Sequence, residues 1–466
     1  MGKMINRHQQ TKSTFSKSLF WLGSAQVIGR IVRLASSIIL ARLFTPEIFG
    51  QVAIILTCFE LICTPTRRIT SASLIKMNDT ELAASLTNAN KINWLASIAA
   101  FVAMSLLSWP LAYYHQDTIL IAPMILMATS YLLLPLGLRH AAVNLRANRM
   151  RIVGRAVLWQ TIADGLLTAT LALLGLGIWA IILPKVLVIF IWMGIHRYKN
   201  PLPEAPNQQQ SDIPHTQKTQ VADPKESTVQ SLYQMLSFGS MVGLSDLSIA
   251  LRQNIDYLLI GYFLGLEALG IYFFAFNTSL GISLGIIQSY GTALYSHLCG
   301  AQKSQQQLPV SKELKTRYSQ SLSLILKIAI PVIALQSLLS PFYLPLIYGD
   351  KWIEAGALPI FILLCLSGLV RPIGEAASQL LISINKSRLN LSMNLGFTLL
   401  LAITIAICSQ WGLTAVAAGI LVIHLICMPT LNLYIQLFVL KTTVTGTQSE
   451  DRNNSKRFNQ EVPHDA

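Results

Sequence analysis

Charged side chains are scarce in this 466-residue chain: Asp, Glu, Lys and Arg make up 12% of it, against 53% hydrophobic residues. A soluble domain carries about 25% charged residues, and the mean hydropathy here is +0.52, which excludes a water-soluble globular protein. The chain has no Walker motif and so no sign of an ATP-driven pump. Large polar connections are missing on one side of the apolar runs, which leaves no soluble domain to hold a conventional active site; no enzyme is expected. Acidic residues number 21 against 35 basic, a net charge of +14. In a soluble chain that excess would suggest nucleic acid; here it lies between apolar runs, where it sets orientation, and no nucleic-acid partner is expected. The six cysteines, Cys58, Cys63, Cys299, Cys365, Cys408 and Cys427, form no CxxC pair and no Cys/His cluster. They read as small apolar packing residues, and neither a metal nor another cofactor is expected.

What is present is a succession of apolar runs. A run of about 20 such residues crosses a bilayer as a helix, and twelve are expected near 18–41, 47–66, 92–111, 118–138, 154–174, 177–195, 235–262, 269–296, 321–341, 355–382, 391–409 and 412–438. The fold class is thus an all-α polytopic membrane protein with about twelve transmembrane helices in two six-helix lobes. Residues 1–17 form a polar tail without a small-residue cleavage site after the apolar run that follows, so the first run is expected to be a retained span. The lobes are 18–195 and 232–441, joined by a polar linker, 196–231, with Pro201, Pro203, Pro206, Pro214 and Pro224 and the run Gln208-Gln209-Gln210. Residues 442–466 are expected to be a disordered tail.

Basic residues fall in alternate connections: Arg67, Arg68 and Lys76; Arg139, Arg146, Arg149, Arg151 and Arg155; Arg197 and Lys199; Lys303, Lys312, Lys315 and Arg317; Lys386 and Arg388. The opposite connections are nearly bare. Basic connections stay in the cytoplasm, so both termini and the linker are expected there.

The stretch Ser18–Gly50 concentrates the chemistry. Arg30 and Arg33 lie three residues apart inside the first span and share a helix face, with Gln26 and Ser37 on the same stripe. Arginine at a bilayer centre costs roughly 2.5–3.5 kcal/mol on insertion scales, and no acid lies within a turn of either. The pair calls for an anion that the helix does not supply. The exit of this span is echoed 220 residues on: IILARLFTPEIFGQV from position 38 aligns with LLIGYFLGLEALGIY from position 258, so that Glu47 meets Glu267 and Gly50 meets Gly270. Two halves that begin alike suggest a duplicated transporter.

Further ionisable residues sit within spans, where they are functional candidates. Arg252 with Asp256, and Arg371 with Glu375, are each four apart and can pair on one helix, as a self-neutralised pair or as a gate; Pro372 and Gly374 permit a kink beside Arg371. Glu60, Asp164 and Asp246 have no basic residue within a turn, so they are candidates for loading a proton or a cation during transport, or for pairing between helices. Lys185 follows Pro184, which could break the sixth span. His424 reads as a satisfied core histidine.

Ile38–Gly50 resembles the LARLLTPEDFG turn of Wzx-type oligosaccharide flippases. Asn254–Asn277 (NIDYLLIGYFLGLEALGIYFFAFN) resembles their D-x-x-x-I-G-x-x-L-G-x-x-x-L-G-x-Y-x-x-A segment, and Pro345–Leu363 (PLIYGDKWIEAGALPIFIL) their G-x-x-W-x-x-A turn. Order and spacing agree over most of the chain. The resemblance is to the polysaccharide-transporter branch of the multidrug/oligosaccharidyl-lipid/polysaccharide exporter superfamily. It implies two lobes around a central cavity, alternating access, and passage of a polyprenyl-pyrophosphate-linked oligosaccharide from the cytoplasmic to the outer leaflet of a bacterial plasma (inner) membrane. It also implies that basic cavity residues hold the pyrophosphate; Arg30 and Arg33, with Gln26, match that expectation, and Arg252 and Arg371 are further candidates. Ion coupling or gating is assigned to Glu60, Asp164, Asp246, Asp256 and Glu375. Expected partners are membrane lipids and the polymerase and glycosyltransferases of the same cell-surface pathway, for lipopolysaccharide, capsule or exopolysaccharide. Alternatives are an ion-coupled drug/cation antiporter of the same superfamily, against which the first-span arginines count, a membrane polysaccharide polymerase or ligase, which would need a large outer loop, and a non-transporting scaffold.

The charge asymmetry gives a direct test. Accessible cysteines or tags at Gln209 and Ser449 should report the cytoplasm and one at Gln116 the outside; Gln209 on the outer face would overturn the twelve-span topology.

Overall fold

The computed structural model describes residues 29, 31–76, 79–147, 149–198, 200, 202, 224–303, 310–384 and 386–439. Every element among them is helical. In chain order they are α1 (31–43), α2 (Pro46–Lys76), α3 (Asp79–His115), a short 3-10 turn (Thr118–Leu120), α4 (Ile121–Leu133), α5 (Pro135–Arg146), α6 (Met150–Leu173), α7 (Trp179–Arg197), α8 (Pro224–Lys303), α9 (Val310–Tyr348), α10 (Lys351–Glu354), α11 (Ala357–Gly368), α12 (Arg371–Ser383), α13 (Ser387–Cys408) and α14 (Leu413–Tyr434). Nine of the described helices are long and apolar enough to cross a membrane, or ten if α4 and α5 form one bent span. Eleven of the twelve expected spans overlap these helices, the seventh and eighth being the two parts of α8; the first overlaps the shorter α1 over its described residues. Their outward surfaces are apolar, with Leu95, Leu106, Leu338, Phe342 and Leu346 all exposed. A row of exposed Leu and Phe side chains suits hydrocarbon, not water.

Local chemistry fixes the breaks. Thr45 caps α2, its hydroxyl accepting from the Ile48 N–H at 3.5 Å; Pro46 opens the helix and Glu47 complements its dipole. Pro135 bends α5 by 51° from α4. Gly265, at φ 84°, divides α8 into two helices, a left-handed turn that glycine adopts without steric cost. A break separates α11 from α12 just before Arg371 and Pro372, at the expected kink. Pro184 behaves otherwise: α7 runs through it unbroken, as membrane helices tolerate proline when neighbours resatisfy the backbone.

Two compact units result, the first made of the described residues up to Gly261 with Gly265–Gly270, the second of Tyr262–Leu264 with the described residues from Ile271. In the first unit the opening part of α8 lies along α2. A side chain at Gly239 would strike the Ile69 carbonyl, and a Cβ at Gly243 would lie 3.5 Å from Pro65. Where α2 begins, a Cβ on Gly50 would run into the carbonyl of Leu266, and one on Gly270 into the carbonyl of Pro46. Leu266 and Gly270 are the residues 220 positions beyond Pro46 and Gly50, so the repeated turn docks against its own copy, reciprocally. Two polypeptide backbones approach this closely only when neither bears a side chain between them. Farther along α2, the Tyr131 hydroxyl donates to the Phe59 carbonyl at 2.8 Å and the two rings stack, holding α4 to α2. At its start, the Gln51 amide donates to the Asp117 carboxylate at 2.6 Å, securing the turn after α3.

In the second unit Trp352 is buried and stacks on Phe274 with centroids 3.9 Å apart, while Tyr348 meets the same ring edge-on at 5.3 Å. Gly349 and Gly356, at φ 98° and 78°, turn the chain on either side of α10. The G-x-x-W-x-x-A segment is therefore an aromatic clasp between α8 and the end of α9.

The backbone contact is open to test. Gly50→Val and Gly270→Val should each destabilise the purified protein by about 1–3 kcal/mol, the usual cost of overpacking, seen as a lower melting temperature by fluorescence-detected chromatography. Gly396→Ala, with open space around the new methyl, should leave it unchanged. Equal melting temperatures for all three would refute the docking role.

Candidate functional site

The first span is placed by α6. Gly29 faces Thr161, Gly165 faces Val32, and the Ser36 hydroxyl is shared between the carbonyls of Val32 and Gly165, at 2.9 and 3.0 Å. Gly29, Val32 and Ser36 thus form the packed edge of α1. Arg33 stands roughly a quarter-turn from the centre of that edge, at 3.6 residues per turn. Its side chain is exposed, and its Nε donates to the Gly29 carbonyl at 3.2 Å. That bond lays the stem along its own helix. Of the other members of the expected stripe, Ser37 bonds the Leu34 carbonyl at 2.8 Å, while Gln26 and Arg30 lie outside the described residues.

Two of the three carboxylates without a partner nearby in the sequence have one from another helix. Asp164 on α6 bonds the Lys185 ammonium of α7 at 2.5 Å. Asp246 on α8 meets Arg68 Nε of α2 at 2.6 Å. Both cations are legible as residues but not as partners: Lys185 reads as the neighbour of a helix-breaking proline, and Arg68 as part of a loop. The second reading fails because α2 runs to Lys76, well past its apolar stretch, so Arg68 projects from a rigid helix toward α8. Glu60 is different. It is exposed, and its carboxylate accepts from the Thr64 hydroxyl at 3.2 Å.

The remaining candidates spread over both units. Asp256 is buried and its Oδ1 accepts from the Tyr257 N–H at 3.0 Å; Arg252 lies one turn earlier, half-buried. In the second unit Arg371 places its guanidinium 5.6 Å from the centre of the Phe276 ring, a cation–π contact. One turn on, Glu375 accepts from the Gln379 amide at 2.8 Å and lies against Gly291. His424 is a satisfied core residue: buried, with Nδ1 2.8 Å from the Ile420 carbonyl and its ring edge-on to Phe397. No group of three or more His, Cys, Asp or Glu able to hold a metal occurs among the described residues.

Asp164 and Asp246 are each met by a cation from a helix they pack against, whereas Arg33 lies on the exposed face of α1. The Asp164–Lys185 pair can be tested by itself. Lys185→Met leaves a carboxylate in an apolar bundle and should destabilise the protein by about 1–3 kcal/mol. The double variant Asp164→Leu/Lys185→Met should recover most of that loss. Additive losses in melting temperature would show that the two side chains do not act as a pair.

Comparison with known proteins follows the same lines. The family model described as polysaccharide biosynthesis protein matches residues 39–201 and 222–357. The lipopolysaccharide biosynthesis protein WzxC of Escherichia coli (strain K12) is 24% identical over 213 residues, which cover 46% of this chain and 41% of WzxC, so the match spans about two fifths of that relative's length. Among solved structures, the lipid II flippase MurJ superposes with a TM-score of 0.69 at 13% identity, over 89% of this chain and 87% of MurJ. A multidrug resistance MATE family transporter of the MOP superfamily gives 0.62 at 15% identity, over 90% of this chain and 96% of the transporter. At such identities the structures speak for the fold alone. The family model covers more than half of the chain, and on that ground the chain, a multi-pass membrane protein with the fold of MurJ and the MATE transporters, belongs to the polysaccharide biosynthesis protein family.

Proposed function

We propose that this protein is a flippase that moves a polyprenyl-pyrophosphate-linked oligosaccharide from the cytoplasmic to the outer leaflet of the bacterial plasma membrane, in the assembly of a cell-surface polysaccharide such as lipopolysaccharide or exopolysaccharide. It works by alternating access of the lobes 18–195 and 232–441, with both termini in the cytoplasm, and it catalyses no covalent step. The polymerase and glycosyltransferases of the pathway are its functional neighbours. Family membership supports the pathway; the likeness to a lipopolysaccharide biosynthesis protein and to a lipid II flippase supports the substrate class.

The observation that carries the reading is the display of Arg33 on α1. Moving a pyrophosphate through hydrocarbon requires its charge to be met by fixed cations, since an isolated ion in a low-dielectric medium is prohibitively costly. A guanidinium answers with a planar fork of donors matched to phosphate oxygens. Arg33, with Arg30 and Gln26 on the same stripe, supplies that fork; Arg252 and Arg371 are the further cations proposed to meet the substrate. The cation for coupling, proton or sodium, is assigned to Glu60, Asp164, Asp246, Asp256 or Glu375. The drug/cation antiporter shares the fold, but its cargo is a cation, and an arginine displayed on the first span repels it.

A reconstituted flipping assay decides. Arg33→Ala should lower the flipping rate about tenfold or more, the loss of one charge-assisted bond of 1.5–3 kcal/mol, at unchanged membrane abundance. Arg33→Lys, which keeps charge but not the fork, should retain part of the rate. Parental flipping by a normally inserted Arg33→Ala would remove Arg33 from the site.

A further inference from the structure

A second concentration of cations lies elsewhere in the first unit, where α5 runs beside the end of α7. The helices are held together at two points. A side chain at Gly137 would strike the Trp192 ring, so the backbone of α5 sits directly against the indole. Seven residues on, the Asn144 amide donates to the His196 carbonyl at 3.0 Å. Arg139 and His140 lie between these contacts on α5, and Arg197 is in the last turn of α7. The charge of Arg197 acts on both Arg139 and His140.

The surroundings lack a matching anion. Among the described residues no carboxylate pairs with Arg139, His140 or Arg197. Arg139 Nε and His140 Nδ1 are both buried without a hydrogen-bond partner. Ordinary explanations cover only part of this. The helix dipole favours Arg197 at the end of α7, and orientation favours basic residues at this end of the spans. Neither accounts for two buried polar nitrogens on the neighbouring helix, one of them a guanidinium donor, that have nothing to bond. Buried polar groups in native structures are satisfied by protein, by water or by a bound ion, and an exception calls for one of these.

We propose that Arg139, His140 and Arg197 bind a lipid-borne phosphate at the edge of the first unit. A phosphate oxygen offers the guanidinium groups of Arg139 and Arg197 a charge-assisted acceptor, and its negative charge relieves the mutual repulsion of these two cations. The site lies on the part of the spans predicted to face the cytoplasm, where anionic headgroups attract basic side chains. Trp192, against Gly137 one turn before the cluster, provides an amphipathic ring suited to the headgroup level. The inference does not depend on the flippase reading, because none of its residues belongs to the Arg33 stripe.

Binding to the purified full-length protein, by native mass spectrometry and by thermal shift, provides the test. The probes are phosphatidylglycerol, phosphatidylcholine as the zwitterionic control, and farnesyl pyrophosphate. Phosphatidylglycerol should bind the parent saturably and raise its melting temperature, and Arg139→Gln should weaken it about tenfold, as expected for the loss of a charge-assisted bond. Loss confined to phosphatidylglycerol identifies a phospholipid headgroup as the source; loss confined to farnesyl pyrophosphate identifies an isoprenoid pyrophosphate. Arg197→Gln, at an exposed position, gives the same comparison should Arg139→Gln fail to fold. Absence of binding by the parent, or equal binding of each probe by parent and variants, would overturn the proposal. Flipping that depends on Arg33 but not on Arg139 would leave it intact.

Discussion

Two helix starts meet backbone to backbone in the first unit, and the arrangement around them follows from that contact. Gly50 lies on the Leu266 carbonyl, and Gly270 on the Pro46 carbonyl. In lipid, apolar side chains gain little from leaving one hydrocarbon surface for another, so helix association rests on close van der Waals packing, which small residues permit. A reciprocal glycine contact is an economical form of it. Once the two turns are in register, the opening part of α8 is committed to run along α2, and Gly239 against Ile69 and Gly243 against Pro65 extend the seam. The family-like turn at residues 38–50 and the glycine-rich segment at 254–277 are thereby explained without a ligand. They are two copies of one docking surface, and their spacing serves packing.

Charge imposes the second constraint. An ionised side chain among apolar helices is expensive unless another charge meets it, and the two pairings seen here link helices: Asp164 with Lys185 joins α6 to α7, and Asp246 with Arg68 joins α8 to α2. Both pairs lie within the first unit. The seam between α2 and α8 thus has two kinds of contact, glycine against backbone and an ion pair beside it.

Much of this architecture was legible in the sequence because its determinants are local. Apolar runs marked the spans, Pro46 a helix start, and Pro372 the break before α12. The 220-residue offset showed a repeat, though not that the copies touch, since sequence identity carries no distance. Three features were hidden for physical reasons. The last turns of α2 are rich in hydroxyl and basic residues, from Thr66 to Lys76, so hydropathy ends before the helix does and places Arg68 in a loop. Pro184 reads as a breaker, yet its helix continues because tertiary packing overrides a single missing hydrogen bond. Pairings such as Asp246 with Arg68 are invisible to any rule based on spacing along one helix, for they depend on which faces of two distant segments meet. Arg33 is singled out in the sequence by its three-residue spacing to Arg30 within an apolar run, and the packed edge of Gly29, Val32 and Ser36 accounts for its exposure.

The pairings also bear on which helices can part. The Asp246 carboxylate lies 2.6 Å from Arg68 Nε, so drawing α8 away from α2 at that point breaks an ion pair and leaves two charges to be met some other way. Asp164 with Lys185 imposes the same condition between α6 and α7. Glu60 stands apart: it is exposed and its carboxylate accepts from the Thr64 hydroxyl of its own helix. The carboxylates therefore divide by consequence: Asp164 and Asp246 each tie two helices together, whereas the bond of Glu60 stays within α2.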